Sequence, residues 1–235
     1  MESTSQFNQT PYRRKIDILI SQTLEKMHNP SKQDLQHKLE VEEHQKRLHQ
    51  QQFYNLLQQS CIPKRYINKS TSDFIIKDTN SQAVYALNNS AYSYYIFGDC
   101  GSGKSFLASL ITKQVIQSTL QSGLFLTATN IIYTLNPYKS TKQLKEDEEH
   151  QVPRHLIYNC QVLVIDDLGV ENSSNLNQSI LFDLINHRYN EDLQTIFTSN
   201  FNIIDLQKRL KSYEGGRIGR RITEMCKPIS LQKFF

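Results

Sequence analysis

No apolar run in this 235-residue chain approaches the length of a membrane-spanning helix, and its N-terminus lacks the basic-then-apolar pattern of a secretory signal. The expectation is a cytoplasmic protein without a membrane partner. Cysteine is scarce and scattered: Cys61, Cys100, Cys160 and Cys226 include no C-x-x-C pair. That spacing argues against a zinc framework or a disulfide-stapled fold and suits a reducing compartment. The seven histidines offer no paired ligands, since His44 and His49 lie five apart and do not share a helix face. A strong charge of one sign is also missing. The net charge of +4 is compatible with a nucleic-acid contact without demanding one.

What is present divides into two parts. The hydrophobic content of 38% is low, and the length allows one good-sized domain with an appendage. In residues 1–60, Ile16, Ile20 and Leu24 recur every fourth position, with Leu19 and Met27 nearby, which predicts a short amphipathic helix. Asn29-Pro30-Ser31 ends it. A second helical stretch over about 32–59 is rich in Gln, Lys, Glu and His, with only sparse apolar positions at Leu35, Leu39, Leu48, Leu56 and Leu57. It reads either as a solvated spacer or as a partner-docking arm. The segment "CIPKRYIN" marks the junction to residues 61–235.

Beyond it, short runs rich in β-branched and aromatic residues at 93–97, 123–128, 161–166, 194–199 and 228–232 alternate with helical stretches near 103–121, 129–136, 175–190 and 203–212. Such alternation predicts an α/β fold, a parallel sheet covered by helices on both faces. Ligands of these sheets bind beyond the carboxyl ends of the strands.

The first such end carries GDCGSGKS, which fits G-x-x-x-x-G-K-[ST] at every position. Gly98, Gly101 and Gly103 let backbone N–H groups turn toward phosphates, and Asp99, Cys100, Ser102 and Phe106 complete the nucleotide-binding stretch. Lys104 is expected to reach the β- and γ-phosphates and Ser105 to ligate Mg²⁺. The strand "VLVIDDLG" runs into two adjacent carboxylates, which packing alone does not explain, because burying an unpaired charge is costly. Asp166 would hold Mg²⁺ and Asp167 would polarise the attacking water. In "TIFTSNFN", Thr198-Ser199-Asn200 ends a third strand, where Asn200 could hydrogen-bond that water or the γ-phosphate. Gly215-Gly216 precede a helix-like run carrying Arg217, Arg220 and Arg221, of which Arg217 and Arg221 share one face. An arginine offered from a neighbouring subunit would complete a site whose only other cation is Lys104.

Taken in this order and at these spacings, GDCGSGKS, VLVIDDLG, TIFTSN and GGRIGRRITEMC resemble the AAA+ ATPases of the bacterial replicative helicase loader type (DnaC/DnaI) and their relatives, the IstB-type transposition helper ATPases. The resemblance covers roughly residues 61–235. It implies a P-loop NTPase with ATP/ADP and Mg²⁺ as cofactors and no helical lid domain after the sheet. It makes Lys104 and Ser105 the Walker A core, Asp166 and Asp167 the Walker B pair and Asn200 sensor 1. Arg221 becomes the trans-acting arginine and Arg217 a second nucleotide-proximal one. One departure is Asp167, where many AAA+ proteins have Glu; the shorter side chain implies weaker water activation.

The resemblance also gives residues 1–60 a role, gripping a replicative helicase through Ile16, Ile20 and Leu24. That docking would be metal-free, since no cysteine precedes Cys61, unlike relatives with a zinc module. Between the second and third strands, Tyr133, Tyr138, Lys139, Lys142 and Lys145 interleave aromatics with lysines, which suits single-stranded DNA, although the "EDEEH" that follows is acidic. The implied function is an ATP-switched loader that delivers a hexameric helicase onto single-stranded DNA, oligomerises as it does so, and turns ATP over slowly. The alternatives are a transposition helper that binds duplex DNA and a transposase, and a DNA-binding scaffold with little hydrolysis.

Overall fold

A computed structural model describes residues 15–16, 18–21, 32–74, 81–138, 152–171, 174–210 and 213–232. Leu24, Met27, Lys139, Lys142 and Lys145, named above, lie outside the described residues. Contacts divide the chain into two units, Met1–Gln51 and Gln52–Phe235.

In the first unit the described residues before position 22 are helical, and Ile16, Leu19 and Ile20 are exposed. Helix α1 (Lys32–Gln59) begins in this unit, and every residue from Lys32 to Gln51 is exposed, including Leu35, Leu39 and Leu48. Its apolar residues are too sparse to form a continuous stripe, so water rather than packing surrounds it.

The last turns of α1 belong to the second unit, where Leu57 is buried and Phe53 packs beside it. The short helix α2 (Lys64–Ile67), a 3₁₀ turn (Thr71–Asp73) and α3 (Ser81–Asn88) lead into the sheet. The alternation that follows is β1 (Tyr94–Gly98), α4 (Lys104–Thr119), β2 (Gly123–Thr127), α5 (Ala128–Leu135), α6 (Arg154–Asn159), β3 (Val162–Asp166), α7 (Asn175–Asn190), β4 (Gln194–Ser199), α8 (Ile203–Arg209), α9 (Tyr213–Met225) and β5 (Lys227–Leu231).

All five strands are parallel, in the order β2-β3-β4-β1-β5. Period-two alternation divides their side chains between two cores. Tyr95, Leu124, Leu126, Leu163, Ile165 and Phe197 face a core closed by α5 to α9. Tyr94, Ile96, Phe125, Val162, Val164 and Ile196 face one closed by α3, α4 and the end of α1. Strands β1 to β4 are therefore buried along most of their length, as expected where helices cover both faces of a sheet, whereas β5 at the edge alternates buried and exposed residues. The connection leaving β1 passes over one face through α4, while that leaving neighbouring β4 passes over the other through α8 and α9. Adjacent strands whose connections diverge open a crevice at their carboxyl ends, and that is where this fold accommodates a ligand.

One expected boundary moves. Gly215 and Gly216 lie inside α9, which starts at Tyr213, rather than ahead of it. The reason is close packing: a Cβ on Gly215 would run into the Leu210 carbonyl and the Gln178 side chain, so a helix can approach here only with glycine.

Candidate nucleotide-binding site

Three strand ends converge on the crevice. β1 ends at Gly98, whose positive φ and lack of a side chain let the chain turn beneath the Leu231 carbonyl of β5, where a Cβ would collide. The turn continues through Gly101 and Gly103, both at positive φ, and Gly103 serves as the N-cap of α4. The first N–H groups of α4 have no partner within the helix, and its positive end faces the loop. Ser102 is buried in this loop, and its Oγ has no hydrogen-bond partner among the described residues. An orphaned buried hydroxyl in a ring of left-handed glycines fits an anion that would accept its proton.

Lys104 is only 6% exposed. Its Nζ donates to the carbonyls of Gly98 and Asp99 at 2.9 and 2.8 Å and to Asn200 Oδ1 at 2.9 Å. Among the described residues no carboxylate pairs with it directly, and burial pulls its pKa down against the attraction of Asp167 and Asp166. This cation therefore joins the end of β1 to the end of β4. On the next strand, Asp166 Oδ1 accepts from Ser105 Oγ at 2.8 Å and from Thr198 Oγ1 at 2.6 Å. Burial raises the Asp166 pKa, while the Thr198 and Ser105 hydroxyls oppose that rise. A serine hydroxyl and a carboxylate in contact form an all-oxygen donor set suited to a hard cation such as Mg²⁺. Thr198 Oγ1 also accepts the Asp167 N–H at 3.0 Å, so one hydroxyl orients both carboxylate residues. Asp167 itself is exposed and takes a left-handed φ of 56°, which turns the chain away from the strand.

Beside the loop, Phe106 stacks on Tyr66 with ring centroids 5.3 Å apart and meets Phe74 at 5.7 Å. The lead-in segment is thereby held against the first turn of α4. Lys113 reinforces this by donating to the carbonyls of Tyr66 and Ile67 at 3.0 and 3.4 Å.

The description "IstB-like ATP binding protein" matches residues 12–214. The chain belongs to this family. The IstB-like chain is also 23% identical over 146 residues to the replicative helicase loader DnaI of Bacillus subtilis, a match that spans 58% of this chain and 45% of DnaI. Less than half of that relative is therefore represented. Among solved structures, the fold is similar to DnaI (TM-score 0.60, 24% identity, 73% of this chain and 95% of that one). It is likewise similar to the DnaC helicase loader (TM-score 0.58, 24% identity, 72% and 99%). The replication initiator DnaA bound to AMPPCP and single-stranded DNA shares it too (TM-score 0.55, 17% identity, 73% and 51%). The IstB-like chain thus has the AAA+ P-loop fold. No described helix is long and apolar enough to cross a membrane.

The structure brings Lys104, Ser105, Asp166 and Asn200 together by direct hydrogen bonds, with Asp167 adjoining. The arginines stand elsewhere, on α9, with Arg217 and Arg221 on the face that packs against α7. The Arg217 guanidinium lies over the Phe182 ring at 3.9 Å, and that of Arg221 over Tyr189 at 4.2 Å. Arg221 Nε donates to Asn186 Oδ1 at 3.1 Å, and its Nη1 pairs with Glu224 at 2.9 Å. Arg220 pairs with Glu224 as well and is far more exposed. Sequence reasoning gave Thr198 no role. Its part depends on β4 lying beside β3 with Ile165 opposite Phe197, and sequence order does not show which strands are neighbours.

Proposed function

We propose that this protein is an ATP-hydrolysing loader that binds a replicative DNA helicase and delivers it onto single-stranded DNA. The observation that carries the ATPase part is the convergence of Lys104, Ser105, Asp166 and Asn200 at three strand ends. In this reading phosphate oxygens compete with the Gly98 and Asp99 carbonyls for Lys104, drawing its ammonium toward the ligand and releasing Asn200 to hold the attacking water. Ser105 and Asp166 would hold Mg²⁺, which would neutralise charge on the phosphates. Asp167 orients and polarises the water. Its one-methylene shortfall against glutamate favours slow turnover.

Arg221 is the arginine offered to a neighbouring copy in an ATP-dependent homo-oligomer, with Arg217 beside it. At 27% exposure its side chain is supported by Asn186 and Glu224 yet still reaches the surface. Such arginines contribute about 10³–10⁵ in rate. Tyr133 and Tyr138, the latter 78% exposed, would stack on single-stranded bases in this reading.

The loader reading is preferred because the curated relative matched is a replicative helicase loader. The transposition-helper reading stands as the alternative because the family matched is IstB-like. We assign the helicase contact to residues 1–60, on the exposed Ile16 and Ile20 and the solvated course of α1. The test is co-elution of the purified chain with the replicative helicase of its own host in ATP, repeated with a chain lacking residues 1–51. That truncation leaves Phe53 and Leu57 to their core. Co-elution that disappears on truncation is the expected result. A chain that ignores the helicase and binds duplex DNA with a transposase refutes the loader assignment.

A further inference from the structure

The turn that leads from the two carboxylates into α7 is gripped at one residue. Gly169 donates its N–H to Glu171 Oε2 at 2.7 Å, and its carbonyl accepts from Arg209 Nε. Its φ is +92°, and a Cβ there would meet Leu206 Cδ1 at 2.8 Å and Phe201 Cδ2 at 3.1 Å. Both polar groups and the open face of this glycine are thus occupied. Arg209 also lies over the Phe201 ring at 5.1 Å. Phe201 directly follows Asn200, and Gly169 stands two residues after Asp167, so a single guanidinium touches the chain just beyond both. The same two segments are stitched again by Ser199 Oγ, which donates to the Leu168 carbonyl at 2.7 Å.

Glu171 needs an explanation of its own. It is 6% exposed, and its Oε1 has no partner among the described residues. Burying a carboxylate is costly, so its place in this turn needs a reason beyond packing. Burial raises its pKa, which its own backbone N–H, the Gly169 N–H and the nearby Arg209 charge oppose. Its hydrogen bond goes to Gly169 rather than to Lys104, Ser105 or Asp166.

We infer that Arg209 and Glu171 are positioning residues for hydrolysis, clamping Gly169 so that Asp167 and Asn200 keep a fixed separation and coupling that spacing through α8 to the arginine-bearing helix α9. The coupling has a path. Arg209 is the last residue of α8, Leu210 after it is buried, and Gly219 of α9 sits so close to Gln207 of α8 that a Cβ would collide. The inference rests on the ATPase reading above. Within it, the clamp acts on the rate of the chemical step and leaves the phosphate-binding loop alone.

The test measures phosphate release and binding of a fluorescent ATP analogue on the full chain and on Arg209→Ala, Arg209→Lys, Glu171→Ala and Glu171→Gln. Displacing groups that hold a reacting geometry costs between about 10- and 100-fold in rate. Arg209→Ala and Glu171→Ala should lose that much kcat with nucleotide affinity unchanged. Glu171→Gln keeps an oxygen for the Gly169 N–H and should retain most of the rate. Arg209→Lys keeps a cationic donor and should recover part of it, and it remains readable if the alanine variant fails to fold. Wild-type kcat in Arg209→Ala, or in Arg209→Lys where the alanine variant cannot be purified, overturns the inference. So does a Glu171→Gln rate as low as that of Glu171→Ala, which would make the ionised carboxylate itself the working group. An unaltered chain that binds ATP and never hydrolyses it overturns the ATPase reading, and the clamp with it.

Discussion

Two buried cations, one at each end of the sheet, show how similar chemistry is put to different ends. Lys104, at the carboxyl ends of β1 and β4, has three acceptors, two of them carbonyls of its own loop. Arg188, at the opposite end, is fully buried. It donates to Thr195 Oγ1 at 2.9 Å and to the carbonyls of Tyr158, Cys160 and Gln194 at 3.0, 3.1 and 2.5 Å. Among the described residues, neither has a carboxylate partner within hydrogen-bond reach. Burial lowers the pKa of both. The difference lies in geometry. A guanidinium has five donors in a fixed fork, and here the fork joins the end of α7 to the starts of β3 and β4. An ammonium is a point charge on a flexible stem, and a phosphate can take the place of its carbonyl partners. Saturated and rigid, the first cation is structural; exchangeable, the second suits a ligand.

The comparison can be broken at either end. Arg188→Leu strands four acceptors in the interior and should cost about 3–5 kcal/mol of stability, read from the urea midpoint. If this variant is as stable as the parent, the buried fork is dispensable. Lys104→Ala should weaken nucleotide binding about 100-fold, or roughly 2.7 kcal/mol, in titration with a fluorescent ATP analogue. Its melting temperature should fall less than that of Arg188→Leu, because removing a desolvated charge offsets the lost bonds to Gly98, Asp99 and Asn200. Retention of tight ATP binding by this variant contradicts the phosphate-loop assignment. Arg188→Lys sharpens the contrast. An ammonium cannot serve all four acceptors at once, so about 2 kcal/mol should be lost despite the conserved charge.

The smallest effect concerns Tyr95, whose hydroxyl donates to the Phe201 carbonyl at 2.7 Å, close to the Lys104 end. Tyr95→Phe should cost about 1 kcal/mol at neutral pH. Burial pushes the Tyr95 hydroxyl from 10.0 up to about 12. Because the folded value is the higher one, that contribution is complete below pH 10 and is lost as the pH rises toward 12. In urea unfolding from pH 9 to 12, the phenylalanine variant should therefore show the shallower decline.

Lys104 was legible because its chemistry is local. Eight consecutive residues, Gly98 to Ser105, contain the turn, the helix start, the cation and the hydroxyl, so spacing alone specifies their function. Strands β1 to β3 were equally legible, because strands covered on both faces read as nearly continuous apolar runs. Arg188 was not. In "NHRYNED" it reads as one more basic residue in the last turn of a helix, with nothing nearby to mark it as buried. Thr198 was seen at the end of a strand and given no task, since its partner Asp166 is 32 residues away. The Arg209–Gly169–Glu171 clamp spans 40 residues and follows no recognisable spacing.

By itself, then, the sequence determined the parallel sheet, the phosphate loop and the identity of the residues at its strand ends, because these depend on local periodicity and local backbone freedom. The tertiary structure alone decided which strands are neighbours. With that it decided which hydroxyl orients the carboxylates, which arginine is sealed inside and which arginines of α9 lie against α7. Those assignments follow from the order β2-β3-β4-β1-β5, a long-range arrangement that side-chain burial selects and that adjacent residues do not encode.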